Sequence, residues 1–231
     1  MIQVLRREEK YPLSLDEAIR YGHKFSKILM PDKFSKNGSY MVRSLYFDTI
    51  DDKDFFDKMT EQNNRRKIRL RIYHPNDTHA KLEMKQKENI YQRKRSLLVT
   101  REDALEMIKG NYSVLLNYPG EFSGELYAVM TTELYRPKSI VEYQRRAFMA
   151  KENNIRLTFD SQIQATESSF DLFAENLPLN PVFPQDRAIL EVKYDKFLLG
   201  YISDIISMVN ARRVASSKYC LSRTIAYGLH L

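Results

Sequence analysis

The sequence contains no tryptophan, one cysteine and four histidines in 231 residues. A lone cysteine, Cys220, excludes an internal disulfide and a thiolate metal cluster, and we expect it to be a small buried hydrophobe. The histidines are scattered and form no H-x-x-x-H pair. Metal chemistry built on thiolates or on paired imidazoles is therefore not expected.

Long apolar runs and flexible linkers are also absent from the sequence. Residues 1–7 lack the apolar run of a signal peptide, and no segment approaches the roughly 18 apolar residues that a membrane helix needs. Glycine and proline are sparse, at seven and eight residues, and no segment resembles a linker or a low-complexity tract. We therefore expect a soluble, cytoplasmic protein that forms one domain over residues 1–231 and does not insert into a membrane.

Positive charge, by contrast, is in excess. The chain carries 37 Lys and Arg against 30 Asp and Glu, which gives a net charge of +7. A hydrophobic fraction of 43% with 29% charged residues is typical of a soluble globular protein. The charge favours an anionic partner, and nucleic acid, anionic lipid and phosphorylated small molecules all remain open on this evidence.

Between Arg65 and Arg95 the chain alternates charged and apolar residues, with a turn at residues 75–77. Alternate side chains of a strand point to opposite faces, so this pattern predicts strands with one charged face. Like charges on neighbouring strands cost free energy, which suggests that an anion lies between them. The pattern predicts a polyanion-binding surface, with the solvated face of an ordinary sheet as the alternative. The predicted charged face comprises Lys67, Arg69, Arg71, Lys81, Glu83, Lys85, Lys87, Tyr91, Arg93 and Arg95.

Helix and strand signals elsewhere complete the predicted fold. Ser14 and Glu17 form a capping-box signature that starts a helix, after a first strand that ends at Pro12. Thr100 starts a later helix, and Gly110 follows its end. The sequence predicts about eight strands, mostly antiparallel, which is roughly the number that closes around one small ligand. The predicted fold class is α+β, an eight-stranded antiparallel β-barrel with surrounding helices.

Eight short motifs follow one another along nearly the whole chain. They are R-x-E-x-K-Y at 6–11, S-L-Y-F-D at 44–48, R-x-R at 69–71, E-x-K at 83–85, Y-x-R-x-A-F at 143–148, R-x-T-x-D at 156–160, E-x-K at 191–193 and S-K-Y at 217–219. Each motif alone is weak, but the ordered set resembles the VTC domain. This domain is the polyphosphate polymerase branch of the triphosphate tunnel metalloenzymes, a CYTH-like superfamily.

The resemblance implies an eight-stranded tunnel that binds a nucleoside or inorganic triphosphate with a divalent metal, Mn²⁺ or Mg²⁺. The polymerase branch transfers the terminal phosphoryl group of ATP to a growing polyphosphate chain, whereas other branches hydrolyse triphosphate or cyclise ATP. The expected partners are thus ATP, triphosphate or polyphosphate and not nucleic acid, with a membrane-protein partner left open. Arg6 replaces the first carboxylate of the E-x-E-x-K pattern common in the superfamily, which favours the polymerase branch over the metal-rich hydrolases.

The resemblance also assigns roles to individual residues. Phosphoryl transfer depends mainly on neutralised phosphate oxygens and an aligned nucleophile, which fits a set rich in Arg and Lys. The expected catalytic residues are Lys10, Arg69, Arg71, Lys85, Arg145, Arg156 and Lys193. The expected phosphate-binding residues are these seven with Lys87 and Lys218. The expected metal ligands are Glu191, Glu83 and Glu8, and the alternative for Glu83 and Glu8 is an ion pair that holds Lys85 or Lys10.

Two other classes of function stay open at this stage. A triphosphatase would use the same tunnel with water as the acceptor. A non-catalytic module would bind a polyanion such as nucleic acid or anionic lipid on a basic surface, but the cations alternate strictly with apolar residues on strands and no aromatic stacking pattern accompanies them. Tyr46, Tyr143 and Tyr194 are expected to serve packing and not chemistry.

Overall fold

The structure is a computed structural model and describes residues 6–35, 38–89 and 91–224, with the backbone alone at residue 6. These residues form ten strands and six α-helices. The strands are β1 Arg6–Ser14, β2 Met30–Pro31, β3 Tyr40–Asp48, β4 Asn64–Ile72, β5 His79–Glu88, β6 Tyr91–Thr100, β7 Arg136–Met149, β8 Arg156–Thr166, β9 Asn180–Pro181 and β10 Arg187–Asp195. The helices are α1 Leu15–Ser26, α2 Lys53–Met59, α3 Arg101–Ile108, α4 Glu121–Thr132, α5 Gly200–Ser207 and α6 Lys218–Thr224.

The predicted helix starts are confirmed where the sequence supplies a cap. The Ser14 side chain accepts from the Glu17 backbone N–H, and the Glu17 side chain accepts from the Ser14 backbone in return, which is the predicted capping box at the start of α1. Thr100 caps α3 by accepting from the Asp103 backbone N–H. Gly110 follows α3 with φ of 94°, the left-handed conformation that glycine tolerates after a helix.

The chain folds into two compact units, each drawn from three separate segments. Unit 1 comes from Met1–Met41, Tyr143–Ile163 and Phe183–Ser217. Unit 2 comes from Val42–Glu142, Gln164–Val182 and Lys218–Leu231. Neither unit is a contiguous domain, and the expectation of one domain over 1–231 stays a prediction.

In unit 2, strands β3, β4, β5 and β6 pair antiparallel in sequence order. Their apolar face is fully buried, with Ile68 and Leu70 of β4 in one core together with Leu82 of β5. Helices α3 and α4 supply Met107 and Met130 to the same core. Because the helices cover one face of these strands, the alternating charged residues occupy the other face.

In unit 1, β10 lies between β1 and β8 and pairs antiparallel with both. Helices α1 and α5 cover one face, where Phe25 of α1 and Ile202 of α5 pack into a core with Leu190 and Val192 of β10. The residues that alternate with these two, Glu191 among them, point to the opposite face.

The ten strands form one antiparallel sheet in the order β1-β10-β8-β7-β3-β4-β5-β6, with β2 beside β7 and β9 beside β8. Eight strands lie on this path and two short strands branch from it, so the predicted α+β class and antiparallel strands are confirmed. Closure into a barrel is not confirmed, because the order has two ends, β1 and β6, in the described part of the chain.

The prediction that Pro12 ends the first strand is wrong. Strand β1 continues to Ser14, and Pro12 is paired in register with Ile189 of β10. Proline cannot donate to a ladder, but β1 stands at the end of the strand order, where one side of the strand needs no donor.

The final predicted helix, residues 216–227, is observed as α6 up to Thr224, and its last three residues lie outside the described ranges. The first predicted strand began at Val4, and residues 4 and 5 also lie outside them. None of the helices in the described ranges combines the length and the hydrophobicity that a membrane-spanning helix requires.

Candidate functional site

Three lysines form a row across the charged face of unit 2. Lys67 of β4 pairs in register with Lys85 of β5, and Lys85 pairs with Lys94 of β6. Directly opposite like charges destabilise a sheet, so a row of three is costly without an anion near it. The next row of the same face contains Arg69 and Glu83, which are also in register.

Glu83 supplies the negative charge within this cationic face. Its side chain is 3% exposed, and its carboxylate lies 2.8 Å from Arg69 Nε, 3.6 Å from Arg71 Nη2 and 2.5 Å from Lys94 Nζ. Burial favours a higher pKa for Glu83, but the three cations outweigh burial and hold the pKa well below its usual range. Glu83 is therefore ionised and serves as the common counter-ion of three basic side chains.

Lys94 is a member of this face that sequence reasoning missed. Burial, together with the nearby Arg69 and Arg71, lowers the pKa of Lys94 to about 8, although Glu83 favours the charged form. The Lys94 amine is therefore mostly protonated at neutral pH and loses its proton as the pH rises through about 8.

The prediction that Tyr91, Arg93 and Arg95 share the charged face is wrong. The hairpin register places Tyr91 opposite Glu88, which brings Lys94 opposite Lys85 and puts Arg95 opposite Met84 on the apolar side. Arg95 there forms an ion pair with Glu125 of α4 and lies 4.6 Å from the Phe122 ring. The two-residue connection between β5 and β6 was the available signal, because a tight hairpin fixes which residues face each other.

The other predicted residues of unit 2 lie on β4, β5 and α6. Arg71 is 8% exposed, and its Nε lies 3.4 Å from the Ser44 hydroxyl. Lys87 pairs with Arg65 and Gln92, one row beyond the three lysines. Lys218 is the first residue of α6 and is half-buried.

Tyr46 packs as predicted but also contacts the cations. It is 3% exposed, and its hydroxyl accepts a hydrogen bond from Arg69 Nη1 at 3.0 Å. Burial favours a higher pKa for Tyr46, but Arg69, Lys67 and Arg71 outweigh burial and lower the pKa to about 8.

In unit 1, two lysines and two glutamates alternate across the β1–β10 ladder. Glu8 pairs in register with Lys193, and Lys10 pairs with Glu191. Lys10 Nζ lies 3.2 Å from Glu8 and 3.9 Å from Glu191, and Lys193 forms ion pairs with the same two carboxylates. The structure thus brings together four predicted site residues on one face of unit 1.

The two predicted arginines of unit 1 are each held by a buried carboxylate. Arg145 donates from Nε and Nη2 to the two oxygens of Asp160 at 2.6 and 2.7 Å. Arg156 Nη2 donates to Asp32 at 2.8 Å, and Asp32 is 5% exposed. Burial favours a lower pKa for Arg145, but Asp160 raises it well above the usual range, so this guanidinium keeps its charge.

The carboxylates of unit 1 fit a hard divalent cation better than Glu83 does. Such a cation takes carboxylate oxygens and completes its shell with water and phosphate oxygens. Glu8 and Glu191 lie around the same two lysines, and the hydroxyl of Thr158, which pairs in register with Glu191, is buried without a hydrogen-bond partner in the described residues. Glu83 fits poorly, because three cations already surround its carboxylate.

No group of three or more His, Cys, Asp or Glu side chains in the described ranges is arranged to enclose a metal. A cation at Glu8 and Glu191 would accordingly draw its other ligands from water and substrate.

Comparisons with known proteins agree with the resemblance drawn from the motifs. A model of the VTC domain matches residues 5–227. Among solved structures the chain is similar to HpAC1 from Hippeastrum, described as an adenylyl cyclase candidate with a dominant triphosphatase activity, at 11% identity and a TM-score of 0.56, over 97% of this chain and 96% of that chain. It is also similar to an adenylate cyclase candidate from Bacillus halodurans, at 11% identity and a TM-score of 0.52, over 93% of each chain. At these identities the likeness concerns the fold, and comparison with curated proteins finds no match.

Proposed function

The chain belongs to the VTC domain family, and from this premise we propose that it is a metal-dependent polyphosphate polymerase. In this proposal it transfers the terminal phosphoryl group of ATP to a growing polyphosphate chain, inside the basic tunnel that the sequence predicts. The observation that carries the proposal is the row of Lys67, Lys85 and Lys94 beside Arg69 and Arg71.

The spacing of that row fits a repeating anion. Neighbouring strands lie about 4.8 Å apart, so three lysines on three adjacent strands present one charge roughly every 5 Å. A chain of linked phosphates carries negative charges at regular intervals and can contact all three lysines simultaneously. Arg69 and Arg71 add planar groups that bind phosphate oxygens at two points. Lys87 and Lys218 are proposed to extend this phosphate-binding set.

The proposed reaction exchanges one phosphoanhydride bond for another and needs no proton transfer. A terminal oxygen of the acceptor polyphosphate attacks the γ-phosphorus of ATP, the new P–O bond forms, and the bond to the β,γ-bridging oxygen breaks. The products are ADP and a polyphosphate that is longer by one phosphate. Because phosphoryl transfer depends mainly on positioning and charge neutralisation, basic side chains suffice for the protein's part.

In unit 1 we assign Lys10 and Lys193 to phosphate oxygens and Glu8 and Glu191 to the divalent cation. A bound Mn²⁺ or Mg²⁺ would neutralise phosphate oxygens and hold them in a fixed arrangement. Lys10 is itself anchored, because its Nζ donates to the Ser216 carbonyl at 2.6 Å.

We assign Arg145 and Arg156 to phosphate oxygens as well. Their partners Asp160 and Asp32 fix the orientation of each guanidinium. An oriented guanidinium loses little further entropy when it binds an anion. Each arginine has five N–H donors, so donors beyond those bonded to the carboxylate can bind phosphate.

A triphosphatase is the second candidate function. The fold likeness to the Hippeastrum protein, whose dominant activity is that of a triphosphatase, favours it. The cations would act in the same way, and water would replace polyphosphate as the acceptor.

Product analysis separates these functions. The purified chain is incubated with ATP and Mn²⁺, with and without EDTA, and the products are resolved by gel and by phosphorus NMR. Long-chain polyphosphate with ADP supports the polymerase, and free phosphate alone supports the hydrolase. Arg71→Ala and Lys85→Ala are expected to abolish turnover while the fold is retained, and full activity in either variant contradicts the site assignment.

The salt dependence of binding distinguishes the proposed site from a basic module that merely binds nucleic acid. Its affinity would fall steeply as the salt concentration rises, because binding releases condensed counter-ions. Retention of triphosphate by the proposed site is expected to persist better and to require the divalent metal.

A further inference from the structure

Two of the sequence motifs meet in unit 2, S-L-Y-F-D at 44–48 and S-K-Y at 217–219, and the proposed reaction assigns a direct role only to Lys218 among their residues. The Tyr219 hydroxyl donates a 2.6 Å hydrogen bond to Asp48 Oδ2. The Tyr219 ring also stacks on the Tyr46 ring, with centroids 5.1 Å apart and planes 26° from parallel. All three side chains are buried. Strand β3 therefore holds Tyr219 at both its ring and its hydroxyl.

Asp48 is fixed independently of Tyr219. Its carboxylate accepts from the backbone N–H groups of Thr49, Asp54 and Phe55 at 2.7, 2.8 and 2.9 Å. These bonds tie the carboxylate to the end of β3 and the start of α2. Tyr219 thus binds an acceptor whose position is already set.

The tyrosine pair borders the cationic face. Lys67 Nζ lies 5.9 Å from the centre of the Tyr46 ring and 5.6 Å from that of the Tyr219 ring. Arg69 donates a hydrogen bond to the Tyr46 hydroxyl at 3.0 Å. The beginning of α6, where Lys218 precedes Tyr219, consequently lies beside these cations.

Helix α6 depends on its side-chain anchors for its position. Its described part, Lys218–Thr224, has seven residues, and a helical segment of that length is not stable on its own. Residues 209–217, which lead into it, form neither helix nor strand. Further along the described part of the helix, Arg223 lies 2.7 Å from both Glu167 and Asp52. At its near end, Tyr219 is the anchor.

We propose that Tyr219 is a positioning residue for the phosphate-binding site: its hydrogen bond to Asp48 and its stack on Tyr46 hold Lys218 at the cationic face. The proposal rests on the proposed function, in which Lys218 binds phosphate. It predicts that the Tyr219 hydroxyl influences anion affinity only through Lys218.

The primary test measures binding of tripolyphosphate with Mn²⁺ by titration calorimetry. Tyr219→Phe keeps the ring and its stack but removes the bond to Asp48, and we expect affinity to fall about 10-fold, the order of loss found at metal sites when a group that orients a ligand is removed. Tyr135→Phe is the matched control, because the Tyr135 hydroxyl donates at 2.9 Å to the buried Asp54 of the same unit. Both variants are expected to lower the Tm, whereas Tyr135→Phe should leave affinity within about twofold.

A double-mutant cycle then asks whether the effect passes through Lys218. Lys218→Ala alone is expected to weaken binding, and Tyr219→Phe in the Lys218→Ala background should cause no further loss, because residues that act as a unit are not additive. Additive losses, or unchanged affinity in Tyr219→Phe, would overturn the proposal. An equal loss of affinity in Tyr135→Phe would also overturn it, since that result reflects general destabilisation.

Failure of the proposed function gives a different result in the same experiment. If the unmutated chain does not bind tripolyphosphate, the proposed function and this inference both fall. If the unmutated chain binds and Lys218→Ala binds equally well, only the role of Lys218 and the inference built on it are overturned.

Discussion

Arg145 and Asp160 form a buried, two-point ion pair, with Nε and Nη2 of the guanidinium 2.6 and 2.7 Å from the two carboxylate oxygens. Arg145 is 7% exposed and Asp160 is fully buried. A buried guanidinium that loses its partner becomes an uncompensated charge, so both the stability of unit 1 and the orientation of Arg145 depend on this aspartate.

Asp160→Asn is expected to lower the free energy of unfolding by about 3–5 kcal/mol, the usual cost of breaking a buried pair. The variant should also lose phosphoryl transfer, since Arg145 is no longer held. Urea denaturation and ATP turnover measure the two effects. Asp16→Asn is the control: its partner Arg20 lies 3.0 Å away and both side chains are largely exposed, so its loss should cost less than about 1 kcal/mol. A similar cost in both variants would contradict the buried pair.

Metal dependence should distinguish the glutamates of the two units. Glu191→Gln is expected to raise the Mn²⁺ concentration needed for half-maximal activity by about 10-fold or more, because it removes an anionic oxygen ligand. Glu83→Gln should leave that concentration nearly unchanged and instead weaken triphosphate binding, since Arg69, Arg71 and Lys94 lose their common counter-ion. Manganese titrations at saturating ATP provide the measurement. A large metal shift in Glu83→Gln would show that this carboxylate, and not the unit 1 pair, binds the cation.

The register of β6 predicts that substitutions at two adjacent residues reduce polyphosphate affinity to very different extents. Lys94→Ala is expected to weaken polyphosphate binding about 10-fold, because Lys94 lies on the same face as Lys85 and forms an ion pair with Glu83. Arg93→Ala removes the same formal charge from the other face and should change affinity by less than about twofold. Fluorescence competition with labelled polyphosphate compares the two variants. If Arg93→Ala were the weaker binder, the observed register would be incompatible with the site.

Asp54 predicts a pH dependence of stability. Burial, and to a lesser extent the neighbouring Asp48, raises the pKa of Asp54 to about 8 from its ordinary value of 3.8. Between these values the folded state retains a proton that the unfolded state has lost. Stability from this group is therefore complete below pH 3.8 and is lost as the pH rises through about 8, at up to about 1.4 kcal/mol per pH unit.

Asp54→Asn should remove this slope, because the amide does not titrate and its oxygen can still accept from Tyr135. Urea unfolding between pH 5 and 8 would test the expectation at about one-unit intervals. Asp51→Asn, an exposed change next to the same helix, should leave the slope as it is. An unaltered slope in Asp54→Asn would assign the pH dependence to other groups.

Several features of the fold and of the candidate site were predictable from local patterns in the sequence. The period of two from Lys67 to Lys85 predicted a charged face opposite an apolar one, and the structure has Ile68 and Leu82 in the core behind it. The capping box at Ser14 predicted the start of α1. The ordered motifs predicted the VTC domain, which the family match confirms. These features depend on residues only a few positions apart, where backbone geometry alone relates them.

Sequence reasoning failed where a contact depends on the register of a strand or on distant residues. The alternation pattern predicted Arg93 on the charged face, where the structure has Lys94, because parity across a hairpin depends on the turn and not on the residue types that flank it. Asp160 stood in the R-x-T-x-D motif, but its partner Arg145 lies on another strand. No pattern in the sequence around Glu83 indicated that its carboxylate would contact three cations, because that contact depends on the register of β4, β5 and β6.

The amino-acid sequence by itself determined the family of this protein, its antiparallel α+β class and the basic and acidic residues available for binding an anion and a metal. These properties follow from the composition, the alternation of charged and apolar residues and the order of the motifs, all of which are present in the unfolded chain. Only the tertiary structure decided which carboxylates neutralise which cations, and that Tyr219 binds Asp48 across 171 positions of the chain. The physical reason is that burial and charge pairing are set by the neighbours that folding brings together, and they decide the protonation and orientation of each group.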